Sequence, residues 1–148
     1  MIKKTLAYTA AFILCFFIFG CASTPKERSV ITLILGGKGN EAKSLFQSKY
    51  DINETDASGN TPLHAAAIVD DADVAHFLLI KGADDTRVNS DGDTPLHAAI
   101  KNDNFGAVRV FAENGSGVFV RNAYGKTAFE EGFEKSEAYE RIFITQKT

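Results

Sequence analysis

The sequence has 148 residues, enough for one domain, with 45% hydrophobic and 24% charged side chains and a formal charge of −3. That slightly acidic balance leaves no basic stripe of the kind a nucleic-acid partner requires.

The first twenty residues read as a segment removed on export. Lys3 and Lys4 precede an uncharged apolar run of 14 residues from Leu6 to Phe19. A membrane span needs roughly 18 or more such residues, whereas a signal-peptide core is this short. "IFGCAST" follows, with Cys21 directly after the small Gly20. This stretch resembles the lipobox of bacterial lipoproteins. Ile18 and Gly20 fit it, Phe19 is bulkier than the pattern, and bulky Leu14 makes Cys15 the poorer candidate. The resemblance implies cleavage before Cys21, lipidation of Cys21 and, because Ala22 rather than Asp follows, an outer-membrane location facing the periplasm or the cell surface. The alternative is an uncleaved inner-membrane signal anchor. Removing residues 1–20 would leave 14 basic against 19 acidic side chains, a formal −5, and no thiol for a disulfide or a metal site. No polybasic patch supplies a second membrane signal, so acyl chains would do the anchoring. Residues 21–27 would then be a tether reaching roughly 20–25 Å, holding the domain close to the membrane.

From residue 28 onward the dominant feature is a period of 33. Residues 59–91 and 92–124 share ten identities: Gly59 with Gly92, the Thr-Pro-Leu-His-Ala-Ala run, Asp70 with Asp103, Gly82 with Gly115, and Asn89 with Asn122. A further step of 33 reaches "GKTAFEEGFEKS" at Gly125. A fixed period of this length marks a stacked solenoid, in which each unit buries its apolar face on the next.

Within the unit, Gly59 and Gly92 suit a tight turn into a helix, Thr61 and Thr94 are N-caps, and Pro62 and Pro95 take the first helical position. Leu63, Ala66 and Ala67 give a small apolar face for close helix approach. "DVAHFLLIKGAD" predicts a second helix that Gly82 ends, and "DDTRVNSDG" is a turn-rich connector.

These motifs resemble the ankyrin repeat: a "G-x-TPLH-x-A" opening, two antiparallel helices, an "LL-x-x-GA" closing and a hairpin finger. The resemblance implies an all-α solenoid of about four helix-pair units. An N-terminal cap (28–58) would precede the repeats 59–91 and 92–124, and a C-terminal cap (125–148) would follow. In the cap at 28–58, "LGGKGN" lacks phosphate-loop spacing and reads as the turn between two helices.

No catalytic constellation emerges, so a non-enzyme is expected. His64 and His97 share one slot of successive repeats, and the resemblance implies that this ring hydrogen-bonds backbone within its repeat; His76, on the second helix, is expected to face solvent or a neighbouring side chain. No metal or cofactor is expected. The acid pairs Asp70–Asp71, Asp84–Asp85 and Glu130–Glu131 read as solvated charges.

What remains is recognition of one protein partner by a monomer. The resemblance places contacts on finger tips and on the end of the inner helix row: Ile68, Val69, Val88, Asp91, Asp93, Lys101, Arg121, Tyr124 and Lys126. Phe119 either joins them or packs against the last cap; it stands where the other units have Asn53 and Thr86, close in sequence to Arg121 and Tyr124. Aromatic and Arg residues dominate interface hot spots. An adaptor and a stoichiometric inhibitor of a toxic enzyme, an immunity-like protein, have the same sequence-level physics.

Overall fold

The structure is a computed structural model that describes residues 29–47 and 50–144. Cys21, the leader and the tether lie outside the described residues. So does the end of the chain from residue 145.

Eight helices stand among the described residues, in four consecutive pairs. They are α1 (Val30–Leu35) with α2 (Gly39–Leu45), α3 (Pro62–Ile68) with α4 (Ala72–Ile80), α5 (Pro95–Lys101) with α6 (Phe105–Glu113), and α7 (Ala128–Lys135) with α8 (Glu137–Ile144). The first member of each pair packs on the first member of the next, and the second members do likewise, giving an inner and an outer row. None of these helices is long and apolar enough to cross a membrane.

Helices of six to nine residues are too short to persist alone in water, so stacking has to hold them. Every residue of α3 except Ile68 is buried, and in α5 every residue except Lys101. The core runs the length of the array through Ile34, Leu63, Leu78, Leu96, Ile100, Val108, Phe111 and Tyr139, with alanines between them where inner helices meet. Each fully buried Leu or Ile contributes about 1.5–3 kcal/mol.

The starts of the inner helices follow the sequence closely. Thr61 Oγ1 accepts from His64 N (3.3 Å), and His64 Nδ1 returns the contact by accepting from Thr61 N (3.2 Å). In α7 the same box is built with a carboxylate. Thr127 Oγ1 accepts from Glu130 N (3.2 Å), and Glu130 Oε2 accepts from Thr127 N (2.8 Å). A side chain three residues after the cap therefore satisfies the same orphan donor in both units. "LGGKGN" is indeed the turn between α1 and α2.

Asp70 departs from the solvated-charge reading, and Asp103 holds the same slot one period on. Both adopt left-handed backbone, each with φ 57°. Asp70 Oδ1 accepts from Ala107 N (2.8 Å), one unit further on. Asn104 reaches back from the start of α6 to Ala67 O (2.8 Å) and Ile68 O (2.7 Å), closing the open carbonyl end of α3. The C-terminal pair makes the same closure with different residues. Lys135 Nζ donates to Ile100 O (2.6 Å) and Lys101 O (2.9 Å), while Tyr139 donates to Asp103 Oδ1 (2.9 Å). Asp71 and Glu130 are caps as well, and Asp84 Oδ1 accepts from Thr86 N and Thr86 Oγ1, so four of the six acids first read as solvated charges build structure.

The fingers are turns, with no strand among the described residues and a single isolated bridge between Arg121 and Thr127. Each turn is wound around one side-chain oxygen. Asp56 Oδ1 accepts from Ser58 N and Asn60 N, Asn89 Oδ1 from Asp91 N and Asp93 N, and Asn122 Oδ1 from Tyr124 N and Lys126 N, all at 2.8–3.1 Å. This is why Asn89 and Asn122 recur. Neighbouring fingers are tied by Ser90 N to Ser58 O (2.9 Å) and Ala123 N to Gly92 O (2.8 Å).

Candidate partner-binding face

His64 and His97 carry the frame. Both are fully buried. His64 Nδ1 meets Thr61 Oγ1 at 2.9 Å, and its Nε2 donates across the unit boundary to Asp93 O (2.9 Å). His97 repeats this with Thr94 Oγ1 (2.6 Å) and Lys126 O (3.0 Å). The expected bond within the repeat is only half of the arrangement, since the other nitrogen stitches each helix start to the next finger. Burial lowers both imidazole pKa values, against the opposing effect of those backbone bonds. With both ring nitrogens engaged, neither histidine is placed to act as a base or ligand. Among the described residues no three His, Cys, Asp or Glu side chains gather as a metal site. His76 is exposed on α4.

The third finger and the end of α5 bring four of the expected contact residues together. Tyr124 is 70% exposed, and Lys101 Nζ lies 5.5 Å from its ring centroid. Lys101 also forms a salt bridge with Asp93 Oδ2. The hydrogen bond to Asp93 is the main cause that raises the Lys101 pKa, with further help from the charges of Asp93 and Glu131. Lys126 pairs with Glu134 Oε2 (2.5 Å) beside this group. Arg121 lies exposed on the same finger, donating to Gly125 O (2.5 Å) and Glu130 Oε2 (3.3 Å).

Asp93 corrects an expectation. The sequence places it at a finger tip, but it is 3% exposed, since its backbone closes the turn and Lys101 covers its carboxylate. Asp91 is exposed at the true tip, and Val88 is half-exposed on the same second finger. Ile68 and Val69 sit at the end of α3, one unit earlier. Ile68 is part-buried and Val69 borders on exposed, so they extend the face without joining the Tyr124 group.

Phe119 is 81% exposed and therefore does not pack into the last pair. Its neighbours also differ from those of Tyr124. It lines a cleft of about 450 Å³ with Val118, Phe143 and the end of α6 from Ala112 to Gly115, on the side of the outer helices. Phe133 and Ile144 are exposed apolar residues that the sequence reading did not single out. The signal for Phe133 was its four-residue spacing from Phe129 along α7, where the rings stack at 6.3 Å. Glu131, read from the sequence as a solvated charge, instead has one carboxylate oxygen covered, in the slot where Ala65 and Ala98 stand.

A family model described as ankyrin repeats (three copies) matches residues 29–122, more than half of the 148. No curated protein matches the chain.

Proposed function

We propose, since the chain belongs to the ankyrin-repeat family and such arrays are protein–protein interaction modules, that this one is a non-catalytic adaptor held at a bacterial membrane by lipid on Cys21. Its partner would be a periplasmic or surface protein, met by the third finger and the end of α5. The observation that carries the binding reading is Tyr124. It is a large ring left 70% exposed on a turn fixed by the Asn122 carboxamide and by Ala123 N on Gly92 O. A rigid aromatic loses little conformational entropy on contact, which is what a hot spot requires. The tether reading is supported by the leader, "IFGC" and the short "ASTPKER" spacer.

The test uses the full chain recovered from membranes with its native partner. Tyr124→Ala should weaken binding by about 1–3 kcal/mol with little loss of stability. Arg121→Ala should act in the same direction, and Ser58→Ala on the first finger should change binding by under about 0.5 kcal/mol. If Tyr124→Ala and Arg121→Ala bind like wild type while Ile68→Asp abolishes binding, the contact lies on the inner helix row instead. Cys21→Ala should leave an unprocessed precursor that incorporates no labelled fatty acid. Equal labelling of that variant would reject the anchor.

A further inference from the structure

Asp93 is almost wholly covered, and only one of its carboxylate oxygens is satisfied. Lys101 holds Oδ2, while Oδ1 has no hydrogen-bond partner among the described residues. Oε2 of Glu131, on the neighbouring inner helix α7, is likewise covered and unpartnered. The repeat does not require an acid there, because the matching slots hold Ala65 and Ala98. The two carboxylates are close enough to Lys101 and His97 to act electrostatically on both. Tyr124 forms the outer wall, its ring beside the Lys101 ammonium.

The hydrogen bonds decide what this group is missing. Lys126 is bonded to Glu134, and Lys101 reaches Asp93 through Oδ2 alone. Two covered carboxylate oxygens, one on each acid, are left without a donor. A covered carboxylate oxygen without a donor is more costly than a lost hydrogen bond, so a ligand that supplies donors gains that difference on binding.

We propose that Asp93, Glu131 and Tyr124 form a receptor for an arginine side chain of the protein partner, with Lys101 as a tethered stand-in that the arriving guanidinium pushes aside. This inference rests on the partner-binding reading and names the chemistry the partner brings. A guanidinium is planar, stacks on an aromatic face and offers a fork of donors to carboxylate oxygens. The Lys101 side chain is 41% exposed, so its ammonium has water to move into, and its departure frees Asp93 Oδ2. A divalent metal fits less well, because it takes six or more oxygen ligands or keeps its own water, and among the described residues no three His, Cys, Asp or Glu side chains gather to hold one.

The probe is N-acetyl-arginine amide, titrated into the isotope-labelled full chain and followed by NMR, with the neutral isostere N-acetyl-citrulline amide and calcium chloride as parallel arms. The arginine probe should shift the resonances of Lys101, Tyr124 and Glu131 saturably, with a Kd on the order of 1–10 mM, and the citrulline probe should not. Glu131→Gln and Tyr124→Ala should each weaken the probe by about threefold or more, whereas Lys101→Met, which removes the stand-in, should tighten it by a similar factor. Circular dichroism checks that each variant remains folded, and the exposed Tyr124 keeps the test usable if Glu131→Gln does not. Equal shifts from citrulline, no shifts at all, weaker binding in Lys101→Met, or saturation of the same resonances by calcium alone would each overturn the proposal. Native partner binding that survives Glu131→Gln and Asp93→Asn unchanged would reject the arginine receptor and leave the interaction module standing.

Discussion

His64→Ala tests whether the buried imidazoles hold the array together. The ring has no exposed surface, and the substitution removes its contacts with Thr61 and its bond to Asp93 O. Thr61 is itself 1% exposed, so its N–H is left without water or partner, which costs about 1–3 kcal/mol. Asp93 O keeps a second donor, Asn89 N at 3.0 Å, so losing the histidine bond there costs only about 1 kcal/mol. The vacated ring space adds roughly 1–2 kcal/mol. Together these give a loss of about 3–6 kcal/mol, a large share of the roughly 5–15 kcal/mol that a domain possesses. Urea unfolding followed by circular dichroism should show a lower midpoint with an unchanged slope. His76→Ala, on the exposed side of α4, is the control and should move stability by under about 0.5 kcal/mol. A loss below about 1 kcal/mol for His64→Ala would refute the reasoning, because it would mean that neither Thr61 N nor the unit boundary depends on the ring.

Stability should be flat with pH above the ordinary imidazole value of 6.5 and should decline as pH falls below it. The native pKa values of His64 and His97 are lowered, so the unfolded chain binds protons first in that window. His97→Gln should remove part of that slope. The further losses tied to Asp84, Asp103 and Glu130, whose pKa values are also lowered, belong below their ordinary values of 3.8 to 4.5. Gly92→Ala should cost more than Gly125→Ala, as thermal unfolding would show. Both sites have positive φ (78° and 77°), but a Cβ at Gly92 would clash with Ala123 Cβ and one at Gly125 would meet nothing within 4 Å. Equal losses would mean that finger stacking adds nothing to the backbone effect. Asp70→Ala should destabilise by about 2–3 kcal/mol, through the orphaned Ala107 N–H and the left-handed backbone, while Asp70→Asn should cost less than half of that.

The sequence alone determined the features that one unit settles within itself. The caps at Thr61, Thr94 and Thr127, the prolines after the first two of them and the glycines at positive φ each act over three or four residues, so their spacing is visible in the chain. The 33-residue period followed from the same signals, and with it the paired helices and their number. Contacts between units were not legible, because each joins residues about 29 to 39 positions apart and depends on how close stacking brings them. Asp70 looked like a solvated charge until α6 placed Ala107 N beside it. Inside one unit, too, folding changed the reading: Asp93 looked like a finger tip until Lys101, eight residues on, covered it, and Phe119 and Tyr124, five residues apart, took different neighbours on the two sides of the array. Lys135 and Tyr139 close the carbonyl end of α5 where Asn104 closes that of α3, a substitution of one chemistry for another that no repeat alignment could show. Local backbone preference is written in residue types at fixed spacing. Burial and pairing are decided only when the unit is folded and the next is laid against it.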